Sequence, residues 1–308
     1  MAFKRLPVIR KLFKEHSPKI AFRALAKMAP VETSWSIGPD TLIGRYNHSS
    51  FGTMDAAVLF TGYTTAELST SAESFNGTAW SATGSIDFSV KEGAGCGTQS
   101  AGLGFGGDPI FAVDEIATTR EYNGATWSAG GNLSVARRRH GGCGTQTAGL
   151  AIGGIAPSTT ETCEEYNGTA WSSGGDLASK RYHMGSFGIQ NSAIAVSGWS
   201  NSFGWFDGTE EYNGTAWSAG GNNSQGVAYS EGAGANQNSG VIFGGNIDLA
   251  VTKVDTVEEY NGSSWTTKAN LNTPVCFHSG AGVASGALKI AGLIEPGSTF
   301  TSVTEILS

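Results

Sequence analysis

Along most of this chain an aromatic residue, a polar Asn-Gly stretch and a tryptophan follow one another at fixed spacing. Glu165-Tyr166-Asn167-Gly168-Thr169-Ala170-Trp171 shows the pattern, and the blocks ending at Trp80, Trp127, Trp217 and Trp265 repeat it. Each block predicts an aromatic-bearing strand, a turn and a strand led by Trp, because Asn-Gly tolerates the positive φ of a tight primed hairpin turn. Two more apolar segments precede each block. Arg139-His140-Gly141-Gly142-Cys143 predicts a first strand, Gly144-Thr145-Gln146 a turn, and Ala148-Gly149-Leu150-Ala151-Ile152 a second strand closing on Gly153-Gly154. The double glycine recurs as Gly106-Gly107 and Gly244-Gly245, and in degraded form as Thr61-Gly62, Ser197-Gly198 and Ala291-Gly292.

The five tryptophans stand 47, 44, 46 and 48 residues apart. A period in the forties marks a stacked or ring-shaped repeat architecture in which each repeat is one supersecondary unit. Thr33-Ser34-Trp35-Ser36 supplies the Trp strand alone, in phase with the rest, and Thr301–Ser308 supplies an aromatic-type strand with no Trp after it. The two halves complement each other. An N-terminal strand that completes the C-terminal sheet closes a ring without a free edge. The expected fold is therefore an all-β, six-bladed propeller over 33–308, with Trp35, Trp80, Trp127, Trp171, Trp217 and Trp265 in the blade core.

A second strand closing on Gly-Gly, an aromatic in strand three and a Trp in strand four resemble the kelch repeat over residues 33–308. The Tyr-Asn-Gly-Thr-Ala-Trp and Gly-Thr-Gln-x-Ala wording resembles repeat proteins encoded by bacteriophages, marine ones especially, where such chains are virion components. The resemblance implies a virion structural protein, associated with a tail, fibre or capsid and made in the host cytoplasm. The competing class is a carbohydrate-binding propeller or a kelch-type enzyme, an oxidase or glycan lyase, which would carry a metal or a symmetry-breaking acid cluster in its central channel.

In an up-down-up-down blade the short turns share one face and the variable loops share the other, where binding usually resides. Trp199, Phe203, Trp205 and Phe206 crowd one such loop and suit stacking on a sugar or anchoring a protein; alternatively the loop folds its aromatics onto its own blade. Arg137, Arg138, Arg139, Lys180 and Arg181 fall at adjacent loops of this face, as a basic patch or a solvated surface. His48, His140, His183 and His278 recur near the start of strand one, on separate blades too far apart for one tetrahedral metal ion. Glu164-Glu165, Glu210-Glu211 and Glu258-Glu259 repeat in phase, whereas an active site breaks repeat symmetry. The expectation is a non-enzyme with no metal and no cofactor.

Charge divides the chain. Residues 1–30 hold eight Lys/Arg against Glu15, a balance of +7, while the remainder carries −14, which argues against nucleic acid as a partner. The arm (1–32) predicts two short amphipathic helices. Val8, Ile9, Leu12 and Phe13 form one apolar face with Arg10 and Lys11 outside it. Ser17-Pro18 starts the second helix, whose apolar stripe includes Leu25 and Met28, and Arg23 belongs to the same anchor. Such an arm suits docking to other virion proteins; a membrane-surface helix, a targeting peptide and a self-packed arm are the alternatives. No apolar run is long enough to span a membrane or to serve as a signal peptide. The four cysteines read as free, buried packing residues, with Cys96 and Cys143 in a column that other repeats fill with Phe51, Phe187, Gly234 and Ala281.

Overall fold

The computed structural model describes residues 34–109, 115–202, 204–294 and 299–308. The arm, with every anchor residue named above, and Phe203 lie outside the described residues. Among the described residues six antiparallel blades surround an axis, five of four strands and one, blade 6, to which Val275–Cys276 adds a fifth. Blade 3 runs outward as Gly141–Thr145, Ala148–Ile152, Cys163–Tyr166 and Trp171–Ser173. Blades 1, 2, 4 and 5 start from the inner strands Ser49–Thr53, Ala94–Thr98, Gly185–Ile189 and Glu231–Asn236. Blade 6 joins both ends of the chain: Ser279–Val283, Gly286–Ile294 and Thr299–Leu307 are completed by Trp35–Ile37, with Trp35 opposite Leu307 and Ile37 opposite Glu305. Its inner strand packs against that of blade 1 and closes the ring.

Each second strand is covered on both faces by neighbouring blades, which is why it reads as a continuous apolar run rather than an alternating one. Leu150, Ala151 and Ile152 are fully buried. The tryptophans are mortar between blades. Trp171 donates to Thr119 Oγ1 of blade 2 at 3.0 Å, Trp80 to Thr304 Oγ1 of blade 6 at 3.2 Å, and Trp265 to Thr209 Oγ1 of blade 4 at 2.9 Å. Trp127 and Trp217 donate instead to the carbonyls of Gly84 and Gly175. Trp35, Trp80 and Trp171 are buried; Trp127, Trp217 and Trp265 are half-buried, so the core position is shared rather than uniform.

Two local expectations are corrected. The Asn-Gly turn is a four-residue loop, not a two-residue primed turn. Tyr166 pairs with Trp171 across it, Gly168 alone takes positive φ (88°), and Asn167 Oδ1 accepts the amides of Thr169 at 3.0 Å and Ala170 at 2.9 Å. The asparagine is there for its side chain, as an Asx-type cap. In the cysteine column blade 5 contributes Ala233, opposite Val241, not Gly234; an irregularity between Gly234 and Asn236 absorbs the extra residue. All four cysteines are buried. The Gly-Thr-Gln turns, and Gly188-Ile189-Gln190 in the same place, clamp the preceding blade: Gln99, Gln146 and Gln190 donate to the carbonyls of Phe75, Tyr122 and Tyr166 at 2.6, 2.8 and 2.8 Å.

Candidate functional site at the propeller axis

The aromatic loop of blade 4 spends its rings on itself. Trp199–Ser200 pairs with Gly204–Trp205 as a two-stranded ribbon, and the two indoles meet edge-to-face at 4.3 Å. Trp205 Nε1 donates to Asn246 O at 3.1 Å, and Phe206 lies under the Arg181 guanidinium at 4.4 Å. Trp199, Trp205 and Phe206 are all half-buried.

The basic patch does not form. Arg137 and Arg181 are completely buried, and Arg45 of blade 1 occupies the same column. Each reaches from the loop entering its blade to the first glutamate of strand three. Arg45 meets Glu73 at 2.6 Å and Arg137 meets Glu164 at 2.7 Å, while Arg181 bonds Glu210. Repetition of an Arg in three loops signalled a latch, which surface reasoning missed. The same glutamates accept loop amides: Leu42 N to Glu73 at 2.6 Å, Ser134 N to Glu164 at 2.6 Å and Ala178 N to Glu210 at 2.7 Å. Three glutamates one position before the strand-three aromatic accept the tyrosine hydroxyl of the next blade, Tyr166 to Glu121 and Tyr212 to Glu165, both at 2.7 Å, and Tyr260 to Glu211, whereas Glu259 pairs with Lys268. The in-phase carboxylates are therefore committed to latching loops and tying blades. Arg138 pairs with Asp108 at 3.0 Å and Glu115 at 3.2 Å, and Lys180, exposed, with Glu161 at 3.3 Å.

What breaks the sixfold repeat lies on the axis, on the variable-loop face. Immediately before each inner strand one residue takes positive φ: Asn47 (52°), Glu92 (60°), Arg139 (56°), His183 (52°), Tyr229 (57°) and Phe277 (55°). The kink points five of these six amides around the axis at the carbonyl of the neighbouring blade. Asn47 N donates to Phe277 O, Glu92 N to Asn47 O, Arg139 N to Glu92 O, His183 N to Arg139 O and Tyr229 N to His183 O, at 2.8–3.0 Å. These five main-chain bonds link all six blades around the axis whatever the side chains are. Left-handed backbone costs a non-glycine residue about 1–2 kcal/mol, so glycine would be the least costly choice six times over. Six different side chains stand there instead.

They divide the hub into two halves. Tyr229 stacks between His183, at 3.8 Å between centroids, and Phe277, at 4.1 Å; Tyr46 lies 5.0 Å from Phe300 and 5.5 Å from Tyr63. The other half is ionic. Glu92 accepts Arg139 Nε at 2.7 Å and Asn47 Nδ2 at 3.4 Å, Lys91 meets Asp108 at 2.7 Å, and Arg139 overhangs Tyr182 at 5.8 Å. Burial, then the charges of Arg139, Lys91 and Arg138, hold the His183 pKa well below the ordinary imidazole value. This His occupies the hub column, one position before that of His48, His140 and His278, so the four histidines are not equivalent. Burial also lowers His140 and His278 to about 3 and raises Tyr229 to about 12. The hub offers ring faces beside fixed charges, which suits binding through stacking and ion pairing rather than bond chemistry.

Among the described residues no three His, Cys, Asp or Glu side chains stand close enough to hold a metal ion together, and no helix is long and apolar enough to cross a membrane. No protein-family model matches the sequence, and no curated protein matches it.

Proposed function

We propose that this chain is a non-enzymatic virion structural protein: a binding propeller that docks through its N-terminal arm and presents its axial hub to a neighbouring virion protein or to the host surface. One observation carries the binding half of the reading. Six backbone positions best suited to glycine hold Asn, Glu, Arg, His, Tyr and Phe, while the surrounding repeat keeps its wording. Side chains kept at a conformational cost, on the loop face of a rigid scaffold, are the expected signature of a contact surface. The kelch-like and phage-like phrasing of the repeat, and a basic arm on an acidic body, support the virion half. The repeated carboxylates argue against the oxidase or lyase alternative, because each is already held by an arginine, a lysine, a loop amide or a tyrosine hydroxyl.

The test is deletion of residues 1–30, followed by immunodetection in purified particles. The truncated propeller should unfold at an unchanged temperature and should be missing from particles. Normal incorporation, or an unfolded truncation, would overturn the reading.

A further inference from the structure

Below the hub the axis holds two successive cavities of about 50 and 70 Å³. They exist because the inner strands narrow to small residues at one register. Ser49, Ala94, Gly141, Gly185 and Ser279 pair with Phe60, Phe105, Ile152, Val196 and Ile290 of their second strands, and in blade 5 the same register is Glu231, opposite Phe243. Five blades make room and one fills it with a carboxylate. Glu231 borders both cavities.

The groups around it can all accept hydrogen bonds, and the two histidines can only accept. His48 Nε2 lies 3.1 Å from Ile290 O and His278 Nε2 lies 3.1 Å from Phe243 O. A carbonyl only accepts, so the proton of each neutral ring is on Nε2 and Nδ1 is a bare acceptor. Both Nδ1 atoms are buried without a partner, as are the hydroxyls of Ser49, Ser230 and Ser279. These five side chains are all more than nine-tenths buried, and all border one or both cavities. Unpaired acceptors around a carboxylate repel anions and receive the outward hydrogens of cation-bound water. The space exceeds the roughly 10–15 Å³ that one water needs.

We propose that the axial cavity is a site for a hydrated alkali cation, with Glu231 as its charged ligand and the serine hydroxyls and histidine Nδ1 atoms receiving its water shell. One carboxylate balances one positive charge, so a monovalent ion leaves no net charge in a low-dielectric space, whereas a divalent ion leaves one unpaired. His48, His140, His183, His278, Tyr229, Glu92 and Arg139 are the other ionisable groups facing these cavities, and burial keeps Tyr229 neutral by raising its pKa to about 12. The histidines are held neutral by burial, and Glu92 and Arg139 neutralise each other. Glu231 alone lacks a counterion. Burial raises its pKa to about 8, so a proton takes the cation's place below that pH.

The experiment is thermal unfolding of the full chain at pH 9 in potassium or sodium chloride against choline chloride at equal ionic strength. Rubidium chloride crystals measured for anomalous scattering form a second arm. Alkali cations at ten times their dissociation constant should raise Tm by about 2 °C over choline. The increment should shrink at pH 6 and vanish in Glu231→Gln, and a rubidium peak should lie in the cavity. Equal Tm in alkali and choline salts, an increment retained by Glu231→Gln, or an axis without a rubidium peak would each overturn the proposal. If Glu231→Gln fails to fold, the rubidium peak in the wild-type protein decides.

Discussion

Removing one latch should cost far more than removing a surface ion pair of similar geometry. In Glu164→Ala, Arg137 stays completely buried and loses its carboxylate at 2.7 Å, while the amides of Ser134 and Val135 lose acceptors at 2.6 and 3.3 Å. Truncating one partner of a buried pair costs about 3–5 kcal/mol, because the other charge is left uncompensated. Unfolding entropy of about 2.1 cal/mol/K per residue makes 4 kcal/mol worth roughly 7 °C in a propeller of this size. The control is Lys180→Ala, whose pair with Glu161 lies on the surface with Lys180 59% exposed, and which should cost at most about 0.5 kcal/mol.

Blade 5 supplies an internal comparison. It carries Val227 in the arginine column, yet Glu258 still accepts Ser224 N at 3.2 Å. Arg137→Val should therefore fall between the two variants, since Glu164 keeps its amides. Circular dichroism melts at pH 7 read the ranking directly. Glu164→Ala within about 1 kcal/mol of Lys180→Ala, or Arg137→Val costlier than Glu164→Ala, would refute the latch.

Stability should pass through a maximum near pH 6.5. Below it the buried neutral histidines, their folded pKa values lowered, favour the unfolded state, which binds protons they refuse. Between about 6.5 and about 8 the folded state holds a proton on Glu231 that the unfolded chain, near 4.5, has released, so stability falls by up to about 1.4 kcal/mol per pH unit. Urea midpoints in Glu231→Gln should lose the fall and keep the rise. Asn167→Ala should cost about 1–2 kcal/mol, read in the same melts, for the two turn amides it strands. Tyr229→Gly loses two ring contacts, about 0.5–1.5 kcal/mol each, but relieves the left-handed backbone by about 1–2 kcal/mol. Its Tm should stay within a few degrees of wild type, while binding of particles to host cells or of the chain to its neighbour drops.

The repeat itself was readable because its spacing is a physical constraint. Trp35 and the Thr301–Ser308 segment are half-repeats in phase, and only a shared sixth blade uses both. The second glycine of each Gly-Gly site was readable for the same reason. At Gly154, with φ at 96°, a Cβ would stand 2.7 Å from Arg138 O, so no other residue fits. Arg137 and Arg181 misled because a charge in a loop suggests solvent, and their carboxylates lie 27 and 29 residues downstream. The hub was illegible for a different reason: positive φ at Glu92 or Phe277 leaves no mark on composition or period. Only the ring of amides around the axis explains it.

That ring also explains how a propeller can hold so irregular a face on so regular a body. The contacts that tie blade to blade use tryptophan and tyrosine in the outer strands and glutamine in the turns, all written into the repeat. At the axis the tie is made by main-chain amides and carbonyls, which every residue except proline supplies in full. Stability there asks nothing of the side chain beyond tolerance of left-handed backbone. Hub residues are consequently free to vary one by one without loosening the closure, and the same freedom lets Glu231 stand in a register of small residues. The place where this fold makes the fewest demands on its side chains is the axis.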